Sequence, residues 1–194
     1  MKIYTISDMH FNHRSMILFG KRPFKNLKEM HDTIIENWND VVDKNDVILI
    51  LGDFGGGDAM FFRWILRELN GEKILIKGNH DHRFRLKKMA KENSMKIYKE
   101  LSIETDNIDI LLSHKPKNRK KYTFDINIHG HHHRKLLPSK LIQKYYYNVA
   151  VEHNNYRPKP LIKIIGEKGL DVEESRLNHS IKNALLVEKS LVFA

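Results

Sequence analysis

Short apolar runs, each cut off by glycine, asparagine or aspartate, set the rhythm of the chain. Residues 2–7 (KIYTIS) stop at Asp8 and His10, and 46–51 (DVILIL) stop at Gly52 and Asp53. Residues 74–81 read ILIKGNHD, 108–113 (IDILLS) deliver His114, and 126–128 (INI) deliver His129, Gly130, His131 and His133. Runs this short and this rich in Ile, Leu and Val predict buried strands. In sheets covered by helices, ligands gather outside the carboxyl ends of the strands. The pattern therefore aims carboxylates, an amide and imidazoles at one place, as a pair of metal ions requires.

Between these runs the period changes. Leu27, Met30, Ile34, Trp38 and Val41 recur at helical spacing behind Asn26, with Glu29 three residues on as a capping-box partner. Ile34 and Trp38 are expected in the core, and His31 on the solvent side. Gly55–Gly57 leads to a helix capped by Asp58, with Phe61, Trp64, Ile65 and Leu69 as its apolar face and Gly71 as its end. The glycines lack the lysine and hydroxyl of a P-loop. Residues 83–93 predict a basic helix, and 95–98, 101–105 and 108–112 predict strands, the last two joined by a tight turn at Asp106 and Asn107. Further strands are expected over 145–151 and 161–165. An amphipathic helix is expected around Leu177, Ile181, Leu185 and Val192, packing on this domain or on a second copy.

Composition narrows the picture. A length of 194 residues suits one domain, 1–194, with a helical tail from about 167. The net charge of +10 favours an anionic partner, and the loop 115–121, beginning beside His114, carries Lys115, Lys117, Arg119, Lys120 and Lys121. The absence of cysteine excludes disulfides and thiolate metal sites. No run approaches the roughly 20 apolar residues of a membrane span. A cytoplasmic protein that does not engage the membrane is the expectation.

Five short motifs stand in order, each at the end of an apolar run: DMH (8–10), GDFG (52–55), GNHD (78–81), SHKP (113–116) and GHHH (130–133). Together they resemble the five blocks of the calcineurin-like metallophosphoesterase superfamily, and the wider pattern resembles a small branch of predicted phosphoesterases from bacteria, archaea and phages. The resemblance covers residues 1 to about 160. In that branch glycine is expected at position 12, where this chain has Asn12.

The resemblance implies an α/β fold, a four-layer α/β/β/α sandwich of two mixed sheets flanked by helices. It also implies two divalent metal ions, Mn first, with Fe, Zn, Ni or Co as alternatives. Asp8, His10, Asp53 and His133 would hold one ion; Asp53, Asn79, His114 and His131 would hold the other, with Asp53 as the bridge. His80, outside both sets, would be the catalytic general acid or would stabilise charge on the leaving group. Asp81 would orient a nearby imidazole, and His129 would support the ligands. His13, Arg14 and Arg22 are candidate phosphate contacts. The implied activity is a phosphodiesterase that hydrolyses a phosphate ester by in-line attack of a metal-bridging hydroxide, its substrate a nucleotide or nucleic acid. A phosphomonoesterase on the same site and a non-catalytic metal-binding interaction scaffold are the competing readings. A homodimer through the C-terminal tail is a further expectation.

Overall fold

The computed structural model describes residues 1–82, 86, 91, 95–134 and 143–187. Its elements run β1 (Ile3–Ile6), α1 (Ser15–Leu18), α2 (Leu27–Asn39), β2 (Val47–Ile50), α3 (Ala59–Glu68), β3 (Glu72–Ile76) and β4 (Lys96–Tyr98). Then come β5 (Glu100–Glu104), β6 (Asp109–Ser113), β7 (Ile126–His129), β8 (Tyr146–Asn148), a 3-10 turn (Val151–His153), β9 (Lys159–Pro160), α4 (Leu161–Glu167) and α5 (Glu174–Val187).

The strands form two mixed sheets, in the orders β4-β3-β2-β1-β9 and β5-β6-β7-β8. In the first, β1 to β4 are parallel and β9 runs against β1; in the second, β5 is antiparallel to β6 and the rest are parallel. Strands buried on both faces explain the unbroken apolar runs. On one face Ile3, Val47, Leu49, Ile74 and Ile76 meet Leu101, Ile103, Ile110, Leu112, Ile126 and Ile128 of the second sheet. On the other, Tyr4, Ile6, Ile48, Ile50 and Leu75 pack beneath Met30, Ile34 and Trp38 of α2 and Phe62, Ile65 and Leu66 of α3. The expected arrangement of two mixed sheets flanked by helices is what the chain adopts.

Both caps form: Asn26 Oδ1 accepts from the Glu29 N–H at 2.9 Å, and an Asp58 carboxylate oxygen accepts from the Phe61 N–H at 2.8 Å. The turn at Asp106 and Asn107 is also as expected, with Thr105 Oγ1 accepting from the Asn107 and Ile108 N–H groups.

Four local expectations are corrected. Residues 161–165 are helical, because Leu161, Ile164 and Ile165 are buried while Lys163 is exposed, a spacing of three and four that one helix face satisfies. On α3 the buried face is Phe62, Ile65 and Leu66, and Trp64 is 42% exposed. His31 is buried beside Phe11, Phe61 and Trp64, and its Nε2 accepts from the Asn12 N–H at 2.9 Å. The strand expected over 145–151 is shorter, Tyr146–Asn148, and Ala150 forms an isolated bridge with Ser7.

Helix α5 lays Leu177 and Ile181 into the core between the sheets, and the Tyr98 hydroxyl donates to Leu185 O at 3.0 Å. That apolar face is therefore buried within the chain. Val192 and most of the expected basic helix, 83–93, lie outside the described residues. Among the described residues no helix is long and apolar enough to cross a membrane.

Candidate metal centre

The segments after β1, β2, β3, β6 and β7 converge at one end of the sheets. The loops after β1 and β2 are laced together: the N–H groups of Asp8, His10 and Phe11 donate to the carbonyls of Gly52, Asp53 and Phe54, each at 3.0 Å. The Gly130 N–H donates to His114 O at 2.9 Å. This packing explains the glycines of two motifs. A Cβ on Gly78 would sit 2.2 Å from Asp53 Oδ1, and one on Gly130 would sit 2.2 Å from Asp8 Oδ2. Asp8, His10, Asp53 and His131 hold φ between 51° and 68°, the left-handed region that side-chain-bearing residues adopt at a cost. Asn12, where glycine is expected, also has a left-handed φ of 61°, which asparagine tolerates better than most residues.

Two groups of potential ligand atoms result: Asp8, His10 and His133, and Asp53, His114 and His131. Within each group the donor atoms lie within 4.8 Å of one another. Asp8 Oδ1 is 4.0 Å from His10 Nε2 and 3.7 Å from His133 Nε2. Asp53 Oδ2 stands between the groups, 3.6 Å from His10 Nε2 and 3.4 Å from His114 Nε2.

Each carboxylate has one oxygen tied to the protein and one left bare. Asp8 Oδ2 accepts from Ser7 Oγ at 2.5 Å and the His131 N–H at 2.8 Å; Asp53 Oδ1 accepts from the His80 N–H at 2.8 Å. Asp8 Oδ1, Asp53 Oδ2 and His10 Nε2 are buried with no hydrogen-bond partner among the described residues. Orphaned buried acceptors are costly. Three of them facing one another suit a cation.

His114 makes the same point. Its Nδ1 lies 2.9 Å from Leu51 O and its Nε2 2.9 Å from Asn79 Oδ1. A neutral ring has one N–H, so one of these contacts opposes two acceptors unless the ring is charged, the Asn79 amide turns its NH2 toward the ring, or a cation joins the Asn79 side. The donor set of imidazole, carboxylate and amide fits a borderline divalent metal.

Electrostatics agree at His10 and His131, whereas at His114 and His133 burial is outweighed by the carboxylates of Asp53 and Glu152, which push these imidazoles up in the absence of a cation. Burial pushes the His10 imidazole down to about 3 and the His131 imidazole to about 4, so both rings are neutral at pH 7 with a lone pair to give. Burial works against ionised Asp53, but His114, the His80 N–H and His10 outweigh it and hold the carboxyl well below the usual range. Burial pushes the Asp8 carboxyl up. Neighbouring cations would reverse that shift.

The remaining expected site residues divide. His80 is exposed at the mouth, its ring centroid 5.4 Å from that of His10. His13 Nδ1 lies 2.9 Å from His10 Nδ1, and Arg14 is exposed beside it. Asp81 is given backbone partners where an imidazole was expected: it accepts from the N–H groups of Asp53, Phe54 and Gly78 at 2.9, 3.1 and 2.7 Å, bracing the two ligand loops. The His129 ring is buried, with Nδ1 2.8 Å from Gly130 O, and meets the rings of His132 and Tyr146 edge to face.

Arg22 is 4% exposed and points inward. It donates to Asp8 O and Met9 O, both at 2.6 Å, and pairs with Glu152, so a contact with substrate phosphate is replaced by a structural one. Glu152, which sequence reasoning missed, accepts from Arg22 Nε at 2.9 Å and lies 3.0 Å from His133 Nδ1. Its only sequence signal is an acid within the apolar stretch NVAVE. The basic loop is anchored by the Lys117 N–H on Asn127 Oδ1 at 2.8 Å and by the Tyr146 hydroxyl on Lys117 O at 2.6 Å. Lys117 is paired with Glu100, whereas Lys115, Arg119, Lys120 and Lys121 are exposed.

The class that this fold and site define is the metal-dependent hydrolases of phosphate esters. The family model of the calcineurin-like phosphoesterases matches residues 1–135, and the chain belongs to that family. It is 39% identical over 180 residues to an uncharacterized protein, MJ1445, of Methanocaldococcus jannaschii, covering 87% of this chain and 93% of that one. It is 28% identical to the gene 66 protein of Mycobacterium phage L5, covering 75% and 84% of the two chains. Among solved structures, the protein of unknown function AQ665 from Aquifex aeolicus superposes with a TM-score of 0.70 at 29% identity, covering 86% of this chain and 98% of that one.

Proposed function

We propose that the protein is a phosphodiesterase working with two divalent cations, Mn first among them. The observation that carries this reading is Asp53 Oδ2, a buried bare carboxylate oxygen 3.6 Å from a histidine nitrogen of one group and 3.4 Å from one of the other. Asp8, His10 and His133 would hold the first cation, Asn79, His114 and His131 the second, and Asp53 both. Bound there, two cations would supply Lewis acidity to the phosphoryl oxygens and lower the pKa of a water.

The protein's own groups do the rest. His80, exposed with its ring beside that of His10, would give a proton to the departing oxygen. Asn79 and His80 are exposed and His131 and His133 half-buried, so the centre opens to solvent and admits an ester with substituents on both sides. Lys115, Arg119, Lys120 and Lys121, exposed in the loop that follows His114, favour a polyanion such as a nucleic acid as substrate.

The test is hydrolysis of bis(p-nitrophenyl) phosphate against p-nitrophenyl phosphate with Mn, Fe, Zn, Ni and Co in turn. We expect metal-dependent cleavage, abolished by EDTA, with the larger kcat/KM for the diester. A larger value for the monoester with every metal would assign a phosphomonoesterase. Bound metal with no cleavage of either ester would favour the scaffold reading.

A further inference from the structure

The two candidate metal groups are steadied in different ways. In the second, the far nitrogen of His114 meets a backbone carbonyl, Leu51 O at 2.9 Å. In the first, the far nitrogen of His133 meets a side chain, Glu152 Oε1 at 3.0 Å. With Glu152 accepting, the His133 proton sits on Nδ1, and the Nε2 lone pair is turned toward Asp8 Oδ1, 3.7 Å away. Glu152 is itself held: Arg22 Nε and a terminal guanidinium nitrogen reach the same Oε1 at 2.9 and 2.8 Å.

The guanidinium also donates to Asp8 O and Met9 O, both at 2.6 Å, and so grips the backbone that carries Asp8 and His10. One buried cation thereby joins the loop after β1 to the segment after β8. The rigid fork of arginine makes these several bonds at once, which a lysine ammonium on a flexible stem does not reproduce. Removing either partner strands the other as a buried charge, so the pair acts as a unit.

We propose that Arg22 and Glu152 are positioning residues for the first metal position, fixing the tautomer and aim of His133 and the backbone of Asp8 and His10, while at the second position Leu51 O orients His114. The proposal rests on the two-metal reading. It separates the two positions: side chains steady the first, and a backbone carbonyl that no substitution removes orients a histidine of the second.

The experiment is titration of the metal-free protein with Mn(II), read by calorimetry, by metal content after gel filtration and by electron paramagnetic resonance. Wild type is expected to take two ions and give an exchange-coupled spectrum. Glu152→Ala is expected to keep one ion at wild-type affinity, lose the other and give an uncoupled six-line signal. Glu152→Gln is the conservative control. Glu152 Oε2 has no hydrogen-bond partner among the described residues, so the amide nitrogen can occupy that side while the amide oxygen keeps the His133 contact. It should retain both ions, with the first weakened about 10- to 100-fold. Arg22→Lys should likewise weaken one ion only.

Circular dichroism of the metal-free variants checks that they fold. Two ions at unchanged affinity in a folded Glu152→Ala would overturn the proposal. Equal weakening of both ions in Glu152→Gln and Arg22→Lys would reduce the pair to general structural support and overturn it too. Fewer than two ions in wild type would instead overturn the two-metal reading, and the proposal with it.

Discussion

Asp53→Asn is the sharpest perturbation of the site, because it keeps the shape of the side chain and changes one atom. Asp53 Oδ1 accepts from the His80 N–H at 2.8 Å. Placing the amide nitrogen there would set donor against donor, at a cost of about 1–3 kcal/mol. The amide will therefore keep its oxygen toward His80 and put its NH2 group where Oδ2 stands, 3.6 Å from His10 Nε2 and 3.4 Å from His114 Nε2. There its hydrogens face the lone pairs that two cations need, and the bridging charge is gone. Both positions should lose metal together, and kcat/KM for a diester should fall at least ~10³-fold, or about 4 kcal/mol of transition-state stabilisation.

Thermal melting measures the binding loss directly. Mn at 100 times its dissociation constant stabilises a single-site protein by about 2.7 kcal/mol. For a chain of 194 residues that corresponds to a rise in Tm of about 5 to 10 °C. Wild type, with two sites, should show at least this rise and Asp53→Asn should not. Without metal, the variant should melt somewhat lower than wild type at pH 7, since, against burial, His114, the His80 N–H and His10 favour the ionised Asp53 carboxyl in the folded state and that stabilisation is lost with the charge. Two tightly bound Mn ions and an unchanged Tm shift in Asp53→Asn would refute the bridging assignment.

Two further outcomes follow from the same geometry. His80→Ala should keep both metals, because only its backbone N–H touches Asp53; kcat should fall about 10²- to 10⁴-fold for an ester with a poor leaving group and much less for a nitrophenyl ester, and an equal loss for both would show that His80 does not donate a proton. Replacing Lys115, Arg119, Lys120 and Lys121 by glutamine should flatten the salt dependence of KM for an oligonucleotide substrate, since fewer counterions are released on binding, and an unchanged slope would return the loop to ordinary solvated surface.

The parts of the site legible in the sequence are those whose chemistry is local. Asp8, Asp53 and His114 follow strands that the apolar runs announce, and the glycines at 78 and 130 stand where a ligand carboxylate leaves no room for a Cβ. Helices α2 and α3 were legible from their caps and period. Residues 161–165 were not, because a run of five apolar and basic residues fits a strand or one helical turn equally well, and only the packing of Ile164 and Ile165 decides. His31 was misplaced because its polar sequence neighbours conceal the ring cluster of Phe11, Phe61 and Trp64 that encloses it. Arg22 and Glu152 lie 130 residues apart, and no local pattern joins a partner pair formed only when β1 and β8 come together.

That separation has a consequence for how such a centre can change. A ligand motif fixes which atoms meet the cations, and at Gly78 and Gly130 even a methyl group is excluded, so the inner layer has little freedom. The backbone acceptor behind His114 cannot be altered by substitution. The carboxylate behind His133 can, and so can the guanidinium behind it. Aspartate at 152 would be one methylene short of the 3.0 Å contact with Nδ1, and glutamine would keep the contact without the charge. On the two-metal reading, affinity at the first position would thus be adjustable from residues 22 and 152 without touching a ligand, whereas the aim of His114 at the second follows the path of the chain at Leu51.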